Sequence, residues 1–225
     1  MLDILISLIA ITVCIPLIIF ISAAIKFASP GPVLFRQIRL GKQGQRFWLY
    51  KFRKFYTVGS AGLALTLNND SRMTSVGKVL QKTKLDELPQ LWNVLRGDMS
   101  LVGPRPETID FADCFKCGYE QVLQYKPGIF GPNQVFFRNE SQLFCREMDP
   151  ETYCRQILFG LKARVDLAYF KKANIFTDLL VMMRGIIIVV FPGLLPAAND
   201  TLLTDVEEWI QKNELSTTFI RGSTL

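Results

Sequence analysis

Histidine is absent from the 225 residues. That removes the commonest general base and every nucleophilic triad built on imidazole. Any catalysis has to rest on carboxylates, cysteine, lysine or a metal. Cysteine is sparse and odd in number, with 5 residues scattered along the chain. Cys114 and Cys117 form a C-x-x-C, and Cys145 and Cys154 offer two more thiols for a zinc site. Free thiols in a reducing compartment are the simpler reading, because this C-x-x-C has no thioredoxin-like setting. Internal repeats and low-complexity tracts are also missing. No basic run is interleaved with aromatics, so nucleic acid is the weakest class of partner.

What is present points to a membrane. Hydrophobic residues make up 49% and the mean hydropathy is +0.23. The net charge of +6 suits an anionic membrane surface or a phosphorylated substrate. The length allows one domain with a sizeable core. Ile4 to Ile25 carry no charge, and a helix of that length spans about 33 Å, against about 30 Å of hydrocarbon. A cleaved signal peptide is disfavoured, since Asp3 precedes the run and the run exceeds the usual apolar region of roughly 7–15 residues. Lys26, Arg36, Arg39 and Lys42 follow it, which puts the C-terminal bulk in the cytoplasm. Pro16 sits mid-run and removes one backbone hydrogen bond. Two readings stay open: a kinked spanning helix, or a broken helix that dips into one leaflet and returns.

Beyond the turn-rich Ala28–Pro32, two strands are expected at Val33–Ile38 and Phe47–Phe52, joined by a Gly41–Gly44 loop. Lys51, Arg53 and Lys54 serve either phosphate binding or solvation. Asp70 and Arg72 form an ion pair or touch substrate. A short helix is expected at Val76–Lys82, a mixed-face helix at Thr108–Gln124, and a Gly/Pro loop able to act as a lid at Lys126–Gln134. Thr152–Lys172 reads as a helix with Ile157, Leu161, Val165 and Leu167 or Ala168 inward. Phe176–Phe191 is short for a span, so a core helix or an interfacial one fits better, with Arg184 snorkelling to headgroups.

The most informative stretch is Leu85–Glu107, LDELPQLWNVLRGDMSLVGPRPE. Asp86 and Glu87 are adjacent carboxylates that point apart on a helix, so they do different jobs rather than share a proton. Leu85, Leu88, Trp92 and Leu95 fall at helical spacing and are expected to be buried, with Asp86, Gln90 and Asn93 on a separate polar face. The helix starts either at a Thr83 cap or near Leu88, after Pro89's preference for the first turn, and Gly97 stops it. Asp98 braces the turn after Arg96–Gly97. The Gly-Pro-Arg-Pro turn suits an anion.

This stretch closely resembles the signature of bacterial sugar transferases, the monotopic polyprenyl-phosphate phosphoglycosyl transferases that initiate lipid-linked glycan assembly. SPGPVLFRQIRLGKQGQRFWLYKFR, NDSRMTSVGKVL, PGIFGPNQ and DLAYFKKANIFTDLLVM extend the likeness over roughly Leu5 to Phe191. The resemblance implies an α/β fold, mostly helical with a small β-hairpin, in a monotopic membrane protein with an N-terminal re-entrant helix and interfacial amphipathic helices. It divides the chain into a membrane helix and linker (1–30), a cytoplasmic catalytic domain (31–196) and a tail (197–225). The implied reaction moves a sugar-1-phosphate from a UDP-sugar to polyprenyl phosphate and releases UMP, with Mg2+ as cofactor, at the cytoplasmic face of the bacterial inner membrane. Asp86 is the implied nucleophile and Glu87 its partner, with both as metal ligands. Lys51, Lys82, Arg105, Pro106 and Asp166 are the implied substrate-binding residues. A homodimer and downstream glycosyltransferases are implied partners. An aspartate is already ionised at neutral pH, so the chemistry suits a chain without histidine.

Three departures stand out. The family's Arg five residues before the nucleophile is Gln81 here, which leaves Lys82 to substitute without a bidentate fork. Ile15, not Ser, precedes Pro16. The loop usually resembling PGITGLWQV reads PGIFGPNQV, with Phe130 and Pro132 changed. The competing class is a catalytically impaired, membrane-associated scaffold.

Overall fold

The computed structural model describes residues 2–57, 70–116, 118–137 and 149–191. Helix α1 (Leu2–Ala28) runs unbroken past Pro16. Its inward face is narrow. Ile6, Ala10 and Ile11 pack on Leu49, Leu91, Val94 and Met99, while Ile21 and Ile25 pack on Phe52 and Leu80. Leu5, Leu8, Ile9, Val13, Ile19 and Phe20 are exposed. Both ends of α1 are tied to the rest of the chain. Ser100 Oγ donates to Asp3 Oδ2 at 2.6 Å, and Lys26 Nζ donates to the Gly31 carbonyl at 2.9 Å.

Strands β1 (Leu34–Leu40) and β2 (Arg46–Phe52) form the expected antiparallel hairpin, with Leu34 opposite Phe52 and Leu40 opposite Arg46. Arg53 serves neither phosphate nor solvent. It is buried and donates to the carbonyls of Pro30 (2.6 Å) and Ser29 (2.8 Å), clamping the linker to the end of β2. Helix α2 (Ser75–Thr83) is capped by Thr74, whose hydroxyl accepts from Gly77 N–H at 2.9 Å.

The central stretch departs from a single helix. Leu85–Glu87 form a 3-10 turn, and α3 (Gln90–Leu95) begins only after Pro89, ending at Gly97 with φ +82°. The expected burial of the apolar face fails at Trp92. Trp92 is 55% exposed, whereas Asp86, Gln90 and Asn93 are buried. The physical reason is the hairpin. Asn93 accepts from Tyr50 N–H (3.1 Å) and donates to the Trp48 carbonyl (2.6 Å), so the polar face of α3 satisfies β2's backbone.

The expected lid at Lys126–Gln134 is instead ordered by pairing. Strand β3 (Ser100–Val102) runs parallel to β4 (Gly128–Phe130), and helix α4 (Pro132–Phe136) follows directly. Gly103 and Gly128 allow the contact, since a Cβ on Gly128 would stand 2.0 Å from the Gly103 nitrogen. The expected helix at Thr108–Gln124 is two 3-10 segments, Ile109–Lys116 and Glu120–Gln124. The expected helix at Thr152–Lys172 is α5 (Pro150–Tyr153), a π-turn at Cys154–Leu158 and α6 (Phe159–Phe170). Leu158, Phe159 and Val165 join Leu40, Phe111 and Phe115 in the largest core cluster. Helix α7 (Ile175–Val190) is capped by Asn174 and leaves Phe176, Leu180, Met183, Arg184 and Ile187 exposed, as an interfacial helix would. Cys117, Cys145 and the tail expected at 197–225 lie outside the described residues.

Candidate active site

The carboxylate pair is delivered by a backbone break. Lys84 ends α2 in the left-handed region, with φ +58°, a conformation that costs a residue with a Cβ about 1–2 kcal/mol. The chain turns there, and the next three residues coil tightly enough to send Asp86 and Glu87 to different neighbours.

Asp86 is 1% exposed. Its Oδ2 meets Lys54 Nζ at 3.0 Å, and its Oδ1 is buried without a hydrogen-bond partner. Glu87 Oε1 accepts from Lys51 Nζ at 2.9 Å and lies 3.5 Å from Arg105 Nη2. Burial alone would push the Glu87 carboxyl up, but Lys51, Arg105 and Lys84 outweigh it and hold the group well below the usual carboxylate range. Burial pushes the Lys51 ammonium down to about 8, against the upward pull of Glu87. Burial also lowers Lys84. The two carboxylates thus have separate cations, as their divergent directions require.

Arg105 is held from the other side by Gln134. With its carbonyl oxygen toward the guanidinium, Gln134 accepts from Nη1 at 3.1 Å and donates to the Ile129 carbonyl at 3.2 Å. Pro106 is buried, and its carbonyl accepts from Arg39 Nη1 at 3.0 Å, so it anchors a second arginine behind the site. Glu87, Lys84 and Arg105 stand at the polar end of a cleft of about 450 Å³. The walls of the cleft are apolar: Ile6, Ala10 and Cys14 from α1, Leu88, and Val181 and Ile186 from α7.

Asp166 lies behind this wall. Its Oδ2 accepts from Asn133 Nδ2 at 2.7 Å, and Asn133, but not Asp166, lines the cleft. Burial pushes the Asp166 carboxyl up to about 8, against the Asn133 hydrogen bonds. Lys82 is exposed on α2, and the lysines that line the cleft are Lys84 and Lys162. Asp98 pairs with Arg96 at 3.3 Å, and Asp70 with Arg72 at 2.6 Å. The structure therefore brings Asp86, Glu87, Lys51 and Arg105 together, sets Pro106 and Asp166 one layer back, and leaves Lys82 outside. Sequence reasoning missed Lys84, Asn133 and Gln134, and read Lys54 only as one basic residue among three. Lys54 follows the end of β2, where strand alternation no longer assigns faces, so spacing gave no signal.

The family model described as "Bacterial sugar transferase" matches residues 1–192. The chain belongs to the bacterial sugar transferase family. Among curated members, it is 37% identical over 190 residues to a protein of Aeromonas hydrophila named UDP-N-acetylgalactosamine-undecaprenyl-phosphate N-acetylgalactosaminephosphotransferase, covering 82% of this chain and 41% of that one. It is 39% identical over 137 residues to a UDP-glucose:undecaprenyl-phosphate glucose-1-phosphate transferase of Klebsiella pneumoniae, covering 59% of this chain and 30% of the other. Exopolysaccharide production protein ExoY of Rhizobium meliloti is 32% identical over 200 residues, 82% of this chain and 81% of the relative. The chain thus spans less than half of the first two relatives and most of the third.

Proposed function

We propose that the protein transfers a sugar-1-phosphate from a UDP-sugar to polyprenyl phosphate at the cytoplasmic face of the bacterial inner membrane. UMP is released, and the product starts an exopolysaccharide or related glycan. One observation carries this reading: of two adjacent carboxylates with separate cations, Glu87 lines an apolar cleft between α1 and α7 together with Lys84 and Arg105, and Asp86 with its Lys54 is buried directly behind it. Such a cleft matches a lipid phosphate, with chain along the walls and headgroup at Lys84 and Arg105. The relatives' names supply the donor and acceptor classes.

In this reading Asp86 Oδ2 attacks the sugar-bearing phosphorus of the donor. The new O–P bond forms as the bond between that phosphorus and the bridging oxygen breaks, and UMP leaves with the electron pair. An oxygen of polyprenyl phosphate then attacks the same phosphorus, and the carboxylate departs. Glu87 keeps Lys51 and Arg105 aimed at the developing charge, which is where phosphoryl transfer is won. Among the described residues no three His, Cys, Asp or Glu groups cluster as a self-sufficient metal site. Magnesium typically takes one or two carboxylates plus substrate phosphates, and the unpartnered Asp86 Oδ1 with Glu87 fits that donor set. When bound there the ion would neutralise the donor diphosphate.

The Asp3–Ser100 contact at one end of α1, and the packing of Ile21 and Ile25 on Phe52 and Leu80 toward the other, support a helix whose two ends share one side of the membrane. The reaction is tested by UMP release from a UDP-sugar panel with magnesium and undecaprenyl phosphate. Release by the wild type, lowered at least about 1000-fold by Asp86→Asn, is expected of a lost covalent nucleophile. Absence of release by either protein favours the scaffold.

A further inference from the structure

Lys54 is fixed at its backbone by helix α2. Its carbonyl accepts from Thr74 N–H at 2.9 Å and from Thr74 Oγ1 at 3.2 Å. A Cβ on Gly77 would stand 2.1 Å from the same oxygen, so α2 is pressed directly against the Lys54 backbone. Only the four-carbon side chain is left free to move. That side chain is 17% exposed and holds Asp86 Oδ2 at 3.0 Å, while Asp86 itself is 2% exposed at the side chain. The group assigned the attack is thus closed off by a lysine that can swing, on a backbone that cannot.

The charges also leave room for an anion. Glu87 is met by both Lys51 and Arg105, Asp86 by Lys54, and Lys84 adds a further cation on the cleft wall. Lys51, Lys54, Lys84 and Arg105 thus surround two carboxylates, and Lys162 is another cation on the cleft wall. A diphosphate arriving between Lys84 and Arg105 brings the compensating charge, and it is a stronger attractor for an ammonium than a single carboxylate.

We propose that Lys54 is a transferable counter-ion: it rests on Asp86 in the empty enzyme and passes to the donor diphosphate on binding, which uncovers the nucleophile and grips the leaving group with the same ammonium. This inference rests on the proposed use of a UDP-sugar donor. It assigns a donor-binding role to a residue whose visible contact is structural.

The experiment measures UDP binding by calorimetry in EDTA, so that no metal contributes, for wild type, Asp86→Asn and the double variant Asp86→Asn/Lys54→Met. The double variant removes both members of the buried pair and leaves no lone charge, which keeps folding intact. Freed from Asp86, Lys54 should bind UDP in the Asn variant at least about tenfold tighter than in wild type, the order of one charge-assisted hydrogen bond. The double variant should lose at least that gain. Equal affinity of the single and double variants overturns the inference, because the gain then comes from the missing carboxylate alone. No change between wild type and Asp86→Asn overturns it as well, and leaves the donor reading standing. If none of the three proteins binds UDP in EDTA, the same titrations are repeated with magnesium, and absence of binding there too overturns the donor reading and this inference together.

Discussion

Asp86 and Asp166 are both buried aspartates, and they differ in what stands beside them. Asp86 faces a lysine at 3.0 Å, whereas Asp166 faces the neutral amide of Asn133 at 2.7 Å. Burial raises the Asp166 carboxyl to about 8, against the Asn133 hydrogen bonds and the weaker pull of Lys162. Between its ordinary value of 3.8 and about 8, the folded chain holds a proton there that the unfolded chain releases. Stability from this group is present at low pH and is lost as pH rises through that window. Melting temperature should therefore fall from pH 5 to pH 8, and Asp166→Asn, which keeps an oxygen for Asn133, should flatten the fall. An unchanged slope in the variant contradicts the assignment. Arg105 reaches Glu87 and Gln134 through different nitrogens. A lysine has no such fork, so Arg105→Lys should weaken UDP binding about tenfold by calorimetry, with melting temperature little changed.

At the scale of elements, α3 is held by a polar residue and not by its largest apolar one. Asn93→Ala strands Tyr50 N–H and the Trp48 carbonyl, and should cost about 1–3 kcal/mol for each group left unpaired. Trp92→Ala removes an exposed ring and should stay within about 0.5 kcal/mol in denaturant unfolding. The sequence periodicity implies the opposite order. The hairpin, α2, α7 and the adjacency of Asp86, Glu87 and Arg105 were readable, since each rests on local pattern or contiguous motif. The parallel pair β3–β4 was not, because three-residue strands carry no period and their pairing depends on two distant glycines. Lys84 was invisible for another reason. Its left-handed backbone turns it into the cleft, while the resemblance to the family gives the task to the solvent-facing Lys82, beside Gln81. Asp86, Gln90 and Asn93 do share a face, but their burial was not readable, because it depends on the β2 backbone that Asn93 satisfies.

On the scale of the whole molecule, the outer faces of α1 and α7 are apolar and border one cleft. Replacing Leu180 and Met183 of α7 together by Glu should reduce co-sedimentation with anionic vesicles about tenfold or more, without lowering the melting temperature, since both side chains are exposed. In a cysteine-free background, Leu2→Cys and Phe27→Cys should label from the same side of the membrane. Labelling from opposite sides contradicts the reading drawn from the Asp3 contact and the packing of Ile21 and Ile25. The account as a whole turns on Asp86 forming a bond to phosphorus. Its most direct test is mass spectrometry of the purified protein after incubation with a turned-over UDP-sugar, magnesium and no lipid acceptor. The predicted result is a sugar-phosphate adduct on the peptide holding Asp86, absent from Asp86→Asn and discharged by undecaprenyl phosphate. UMP release that waits for the acceptor, with no adduct on that peptide, would contradict it.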